Sequence, residues 1–158
     1  MQRIGLGTDI HRLVPGRPLI IGGVEIESDV GAEGHSDADV LMHAAADAVL
    51  GALALGDLGT HFPNDEERWR NSESAHFVLY AVGLARERGF EIANIDTVVD
   101  LERPKLRPHI EEMRANLATA LRIDIDRVSI KAKTGESIDA VGEQRAVRAQ
   151  AVVLLTNE

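Results

Sequence analysis

The chain has 158 residues, of which 44% are hydrophobic, and it carries a formal net charge of −9 at pH 7. This length predicts one folded domain over residues 1–158 and leaves no room for a second domain of ordinary size. The absence of cysteine excludes disulfides and thiolate metal sites, so a metal would need histidine and carboxylate ligands. The acidic charge argues against nucleic acid as a partner, because phosphate backbones bind clustered basic faces.

The first residues, MQRIGLGTDIH, lack the long apolar stretch of a signal peptide. The longest apolar runs of the chain are also far too short to span a bilayer. We therefore expect no membrane association and a cytoplasmic location.

The N-terminal part of the chain predicts short strands. Residues 2–10 form a strand that runs into a polar corner, and residues 15–18 form a turn. Two further strands, 19–21 and 24–26, flank a pair of glycines.

Residues 37–55 form the clearest predicted helix. Its Ala-rich sequence has few polar faces, so we expect the helix to be mostly buried and to end at Gly56. Ser36 followed by Asp39 resembles a capping box, which predicts that the helix begins at Ser36.

The second half of the chain begins with a polar, irregular segment at 57–72, and loops of this length are often functional. Beyond it the pattern predicts helices over 73–88 and 108–121 and strands over 91–101, 128–133 and 145–155. This order of elements predicts an α/β (α+β) domain, with helices packed on one face of a sheet.

Three residues from two predicted elements are candidate metal ligands. Asp9 and His11 point to the same face of a strand, and His43 lies within the buried helix. Nitrogen and oxygen ligands with one position left open are typical of a catalytic site for Zn, with Mn or Fe as rivals. The alternative is that each histidine is an ordinary surface or half-buried residue. We interpret Asp39 as a helix cap, and Asp37 as a carboxylate that favours the helix dipole.

An anion could bind at the N-terminus of the predicted helix, beside His35. Two polar segments, 103–106 and 133–136, follow strands and in isolation are most simply solvated turns. In the second of them, Thr134 and Glu136 together could contact a phosphate and a hard cation such as Mg. His61, His76 and His109 are interpreted as non-catalytic.

Four segments together resemble a known family. These are GTDIHRL, GHSDADVLMHAAADAVLGALALGDLGTHFP, ERPKLRPHIEEMR and IKAKTGE. In order and spacing they are similar to the motifs of the 2-C-methyl-D-erythritol 2,4-cyclodiphosphate synthase family, over roughly residues 2–155. The first two motifs are highly specific.

The resemblance implies a phosphorus–oxygen lyase of the non-mevalonate isoprenoid pathway. Its reaction converts 4-diphosphocytidyl-2-C-methyl-D-erythritol 2-phosphate into 2-C-methyl-D-erythritol 2,4-cyclodiphosphate and CMP. The resemblance also implies a homotrimer with active sites between subunits. A Zn (or Mn) ion would act together with a Mg or Mn ion at the diphosphate.

The resemblance also implies roles for individual residues. Asp9, His11 and His43 match the Zn ligands, and Glu136 matches the residue at the second metal. His35 and Thr134 match the residues that polarise or position the phosphates. The remaining matches are substrate contacts: Ser36, Asp57, Leu58, Gly59, Phe62, Pro63, Asn64, Asp65 and Glu66 on the methylerythritol phosphate side, and Leu101, Pro104, Lys105, Leu106, Arg107, Lys133 and Gly135 in a cytidine-diphosphate pocket supplied by a neighbouring subunit.

The segment 139–146 departs from the family pattern. Ala140 replaces an aromatic residue, and Glu143 and Arg145 carry the family's Arg and Glu in reversed order. Two alternatives follow: a non-catalytic trimer that binds a metal and an isoprenoid diphosphate, or a metal-dependent phosphohydrolase. The intact metal set, with His35, Thr134 and Glu136, favours the synthase.

Overall fold

The computed structural model describes residues 1–63 and 73–157, which form a sheet with helices packed on one of its faces. The strands are β1 (Gln2–Pro15), β2 (Leu19–Ile21), β3 (Val24–Ile26), β4 (Val30–Ala32), β5 (Glu91–Asp100), β6 (Val128–Lys133) and β7 (Ala146–Thr156). The α-helices are α1 (Val40–Ala52), α2 (Leu58–His61), α3 (Ala75–Glu87), α4 (Ile110–Leu121) and α5 (Asp139–Gly142). Short 3-10 turns lie at Arg107–His109 and Ile125–Arg127. The predicted mixed α/β domain is confirmed.

The main sheet has the strand order β4-β1-β7-β5-β6. β7 pairs antiparallel with both β1 and β5, and β5 pairs parallel with β6. The strand predicted over residues 2–10 is longer than expected, because it continues to pair with β7 as far as Arg12 and then pairs with β4 from Leu13 to Pro15. β2 and β3 form a separate hairpin.

The helix α1 lies directly on β1, and glycines in the strand make this possible. A β-carbon added at Gly5 would lie 1.8 Å from the carbonyl oxygen of Ala48, and one at Gly7 would lie 1.9 Å from that of Ala44. No side chain fits at such distances, so only glycine allows the two backbones to touch. Most of α1 is buried, as its sequence predicts.

The predicted start of this helix at Ser36 is wrong. Ala38 has a φ of 56°, in the left-handed region, and this conformation prevents the helix from running through from Ser36. Asp39 is instead the N-cap, and its Oδ1 accepts the N–H of Met42 at 3.1 Å. The interpretation of Asp39 as a cap is confirmed, and its carboxylate also accepts the N–H groups of Gly22 and Gly23 in the β2–β3 turn. The helix ends at Ala52 rather than near Gly56.

The long helices and strands of the second half agree with their predictions to within a few residues, whereas α2 and α5 were not predicted. Each of these two helices has four residues, which is too short to show a helical periodicity. α2 begins after Asp57, whose carboxylate accepts the N–H of Thr60 at 2.9 Å.

The face of the sheet opposite α1 is apolar and exposed. Ile4, Leu6 and Ile10 of β1 are 73%, 65% and 54% exposed, and Val152 of β7 is 45% exposed. A contiguous apolar surface of this kind is typical of an interaction site.

Candidate active site

Asp9, His11 and His43 meet at one end of α1. Asp9 Oδ2 lies 2.7 Å from His11 Nε2 and 3.0 Å from His43 Nδ1. The two ring nitrogens are 3.2 Å apart, although the residues are 32 positions apart in sequence. Asp9 and His11 share the helix-facing side of β1 with Gly5 and Gly7, as the strand periodicity predicts.

This trio has the chemistry of a divalent metal site. Within residues 1–63 and 73–157, these three are the potential metal-binding side chains whose ligand atoms all lie within 4.8 Å of one another. One carboxylate oxygen and two imidazole nitrogens suit Zn²⁺ and leave a position open for substrate. His11 is already oriented for this role, because its Nδ1 donates to the carbonyl oxygen of Glu33 at 2.9 Å and so leaves Nε2 as the ligand atom.

Hydrogen bonds and charge interactions link Asp9 to the two histidines. Burial alone would raise the pKa of Asp9, but hydrogen bonds from His11 and His43 outweigh it and lower this pKa to about 2. For His11, burial lowers the pKa, but the hydrogen bond and the negative charge of Asp9 raise it above its ordinary value. Asp9 therefore remains a carboxylate at neutral pH and supplies the negative charge that a cation at this position requires.

The trio lies in a pocket of about 430 Å³. The structure places ten of the residues proposed from the sequence around it: Asp9, His11, His35, Ser36, His43, Asp57, Leu58, Gly59, Phe62 and Pro63. Ser36 is nearly buried, and its hydroxyl faces His43 Nε2 at 3.1 Å and accepts the N–H of Ala38 at 3.2 Å. Asn64, Asp65 and Glu66 lie outside the described residues.

Three pocket residues, Gly34, Asp47 and Phe77, were missed from the sequence. Asp47 follows His43 by one helical turn, and this spacing could have indicated that both face the pocket. Its Oδ1 accepts the N–H of Leu58 at 2.7 Å and so holds the start of α2, while burial raises the pKa of Asp47. Phe77, from α3, adds an apolar wall and packs against Phe62, with the ring centroids 4.7 Å apart and the rings tilted by 58°. No local pattern signalled Phe77.

The predicted nucleotide-binding residues form a second group, which does not line this pocket. The N–H of Leu101 donates to the carbonyl oxygen of Lys133, and the N–H of Gly135 donates to Glu102 Oε2, at 2.9 and 2.8 Å. These bonds join the segments 101–107 and 133–136 side by side. Within the group, the Thr134 hydroxyl donates to Glu136 Oε1 at 3.2 Å.

Side-chain exposure divides this second group. Leu101 and Leu106 are buried in the core, so their side chains are not available to a ligand. Pro104 and Lys105 line an open groove of about 1140 Å³, and Glu136 is exposed. A ligand that reached both the metal trio and this group would therefore have to contact two separate regions of the chain surface.

These features define a single-domain α/β protein with a carboxylate-and-imidazole metal pocket. The sequence profile of the YgbB family matches residues 2–156, and the chain belongs to this family. It is 54% identical to the 2-C-methyl-D-erythritol 2,4-cyclodiphosphate synthase of Salinibacter ruber, over 95% of this chain and 96% of that protein. The synthase of Solibacter usitatus is 50% identical, over 97% and 96% of the two chains.

Solved structures agree with this membership. A 2C-methyl-D-erythritol-2,4-cyclodiphosphate synthase in its CDP-bound form is 44% identical, with a TM-score of 0.90 over 98% of this chain and 100% of that one. The bifunctional IspDF from Campylobacter jejuni is 36% identical, with a TM-score of 0.94; it matches 98% of this chain, which covers 42% of that longer one. The prediction of a cyclodiphosphate synthase of isoprenoid biosynthesis is confirmed.

Helices in the described residues are all too short or too polar to cross a membrane.

Proposed function

We propose that Asp9, His11 and His43 hold the Zn²⁺ (or Mn²⁺) ion of this synthase and that Glu136 holds a Mg²⁺ or Mn²⁺ ion at the substrate diphosphate. The observation that carries the first assignment is the convergence of His11 Nε2 and His43 Nδ1, 3.2 Å apart, on one oxygen of Asp9. When bound, the two cations would neutralise phosphate charge and align the reacting groups.

The reaction requires no nucleophile from the protein. An oxygen of the substrate 2-phosphate attacks the β-phosphorus of the same molecule, and the bond between that phosphorus and the oxygen of CMP breaks. Such a transfer depends mainly on positioning and on neutralising charge. His35 and Ser36 lie at the pocket wall, where they can orient the 2-phosphate and β-phosphate.

The methylerythritol part of the substrate would bind between Asp57 and Phe62. The carboxylate of Asp57 is exposed, and hydrogen bonds from Thr60 lower its pKa, so it is an ionised acceptor for substrate hydroxyls. Leu58, Gly59, Phe62 and Pro63 line the same part of the pocket. Asn64, Asp65 and Glu66, which follow directly in sequence, complete this set in the proposal.

The cytidine diphosphate would bind a neighbouring copy of the chain, at Leu101, Pro104, Lys105, Leu106, Arg107, Lys133 and Gly135. Thr134 and Glu136 of that copy would contact its phosphates and the second cation. Two observations support a homotrimer with shared sites. The nucleotide group does not line the metal pocket, and the exposed apolar face at Ile4, Leu6 and Ile10 is available to bury against other copies.

A phosphorus NMR time course with the cytidyl substrate, Zn²⁺ and Mg²⁺ tests the reaction. Signals of a cyclic diphosphate that grow together with CMP are the expected result. Linear phosphate products would indicate the phosphohydrolase instead. A folded, Zn-loaded protein without turnover would favour the non-catalytic binding trimer, and Ala140 and Glu143 would be the first positions to restore to the family pattern.

Subunit mixing tests the shared site. We expect His43→Ala and Glu136→Ala proteins to be nearly inactive alone and to regain turnover when co-expressed, because some mixed sites then contain neither substitution. Leu6→Lys should dissociate the trimer in sedimentation experiments, whereas Ile125→Lys, at an exposed isoleucine outside the sheet, should not. Absence of complementation would contradict the shared site. A cytoplasmic location stays a prediction, which cell fractionation tests.

A further inference from the structure

The ring nitrogen of His43 that faces away from Asp9 meets a hydroxyl group. His43 Nε2 lies 2.8 Å from Ser74 Oγ, at the start of α3, and 3.1 Å from Ser36 Oγ. The Ser74 hydroxyl in turn donates a hydrogen bond to Asp37 Oδ1. The N–H of Ser74 donates to the other oxygen of the same carboxylate, Oδ2, at 3.0 Å.

The direction of this chain of bonds follows from the roles of its members. A histidine that binds a cation through Nδ1 carries its hydrogen on Nε2 and can only donate there. Ser74 Oγ then accepts from His43, which leaves its own hydrogen for Asp37. The Asp37 carboxylate can only accept, and it receives the Ser74 O–H, the Ser74 N–H and the N–H of Asp39.

We propose that Ser74 and Asp37 are positioning residues of the metal centre, which hold the His43 ring in the orientation and tautomer that present Nδ1 to the cation. The inference rests on the metal site of the proposed function and adds two residues to it. A hydroxyl that accepts from the ligand histidine and donates to a carboxylate also increases the electron density on Nδ1, which strengthens its bond to a cation.

The geometry of Ser74 supports this role over a purely local one. A serine at the N-cap of a helix ordinarily accepts an N–H of that helix. Within the described residues, the side chain of Ser74 makes no such capping bond. Its hydroxyl is fully buried and is directed at His43 and Asp37 instead.

His11 provides an internal comparison. Its outward nitrogen donates to the carbonyl oxygen of Glu33, so both ligand histidines are anchored through the ring atom that does not face the pocket. For His43 the anchor consists of the side chains of Ser74, which lies 31 positions further along the chain, and of Asp37, and substitution can remove both.

The experiment measures Zn²⁺ affinity by competition with a chromogenic chelator, together with the ligand-field spectrum of the Co²⁺-loaded protein. Ser74→Ala and Asp37→Asn are compared with the parent and with two controls outside the pocket, Ser129→Ala and Asp124→Asn, whose side chains are exposed. We expect each test variant to bind Zn²⁺ about 10- to 100-fold more weakly and to change the Co²⁺ spectrum. Both controls should match the parent.

The hydrogen-bonded chain from His43 through Ser74 to Asp37 is called the relay below. A double-mutant cycle distinguishes loss of the relay from general damage to the fold. Because the two residues act in series, Ser74→Ala combined with Asp37→Asn should lose little more affinity than the worse single variant. Ser74→Thr retains a hydroxyl and should recover affinity. Circular dichroism establishes that each variant is folded before its affinity is compared.

Three outcomes overturn the inference. Parent-like affinity and Co²⁺ spectra in Ser74→Ala and Asp37→Asn would leave the metal site intact and remove the relay. Fully additive losses would show that the two residues do not act through one another. A parent protein that binds no Zn²⁺ would overturn the proposed metal centre, and the relay with it.

Discussion

Gly7 and Ala44 lie in backbone contact, such that a β-carbon on Gly7 would stand 1.9 Å from the Ala44 carbonyl oxygen. Ala44 is the neighbour of His43, and Gly7 lies two residues before Asp9 on the same face of β1. The contact between β1 and α1 therefore sets the distance of His43, on the helix, from Asp9 and His11, on the strand.

Substitution of Gly7 tests this dependence. Gly7→Ala should lower the free energy of unfolding by about 3 kcal/mol or more, because the helix must move away from the strand. Urea denaturation measures the loss, and Zn²⁺ affinity should fall with it because His43 moves away from Asp9. Gly83→Ala is the matched control: it lies in α3 with open space around its missing β-carbon, and it should stabilise the protein by about 0.5–1 kcal/mol. Equal stability of Gly7→Ala and Gly83→Ala would contradict the proposed contact.

His43→Ala should abolish Zn²⁺ binding and turnover while the protein remains folded. Alanine suits the helical position, so the loss would reflect the missing ligand rather than the missing helix. Metal analysis of the purified protein, phosphorus NMR of the reaction and circular dichroism provide the three readouts. His76→Ala, at an exposed position of α3, should behave like the parent. Turnover by metal-stripped His43→Ala protein would refute the assignment of the ligand.

Glu136→Ala should weaken the response of turnover to Mg²⁺ or Mn²⁺. Its exposed carboxylate lies beside Thr134, and loss of a direct cation contact should slow turnover at least about tenfold at limiting Mg²⁺. Titration of the rate against Mg²⁺ concentration measures the effect, with Glu87→Ala at the exposed end of α3 as the control. An unchanged Mg²⁺ dependence would remove Glu136 from the second metal site.

The buried carboxyl of Asp39 should make stability depend on pH. Burial raises its pKa to about 6 from an ordinary value of 3.8, although hydrogen bonds from Gly23, Met42 and Gly22 oppose the shift. Between these two pH values the folded protein binds this proton more strongly than the unfolded chain does. The contribution of Asp39 to the free energy of unfolding therefore falls as pH rises from about 3.8 to about 6.

Denaturation of the parent and of Asp39→Asn at pH 4.5 and 6.5 measures this contribution together with the charge interaction between Asp39 and Asp37, since titrating groups that do not interact with Asp39 cancel in the difference between the two proteins. We expect the parent to lose stability relative to Asp39→Asn as the pH rises. An identical pH dependence in the two proteins would contradict the raised pKa.

Local patterns were sufficient to predict much of the site. The spacing of Asp9 and His11 placed both on one face of a strand, and the apolar sequence around His43 predicted a buried helix that carries it. The motifs around these residues also identified the family. Asp39 was also correctly interpreted as a cap. The start of α1 was nevertheless not predictable in this way, because the left-handed conformation of Ala38, which separates Ser36 from the helix, leaves no local signal in the sequence.

The sequence by itself therefore determined the types of ligand available, the faces on which they lie and the class of enzyme. Only the tertiary structure decided that His11 Nε2 and His43 Nδ1 stand 3.2 Å apart, that Asp47 and Phe77 complete the pocket, and that Ser74 reaches His43. The physical reason is how far apart in sequence the interacting residues lie. Side-chain periodicity is a property of neighbouring residues, whereas these contacts depend on how closely a helix can approach a strand far away in sequence, and glycine at positions 5 and 7 sets that approach.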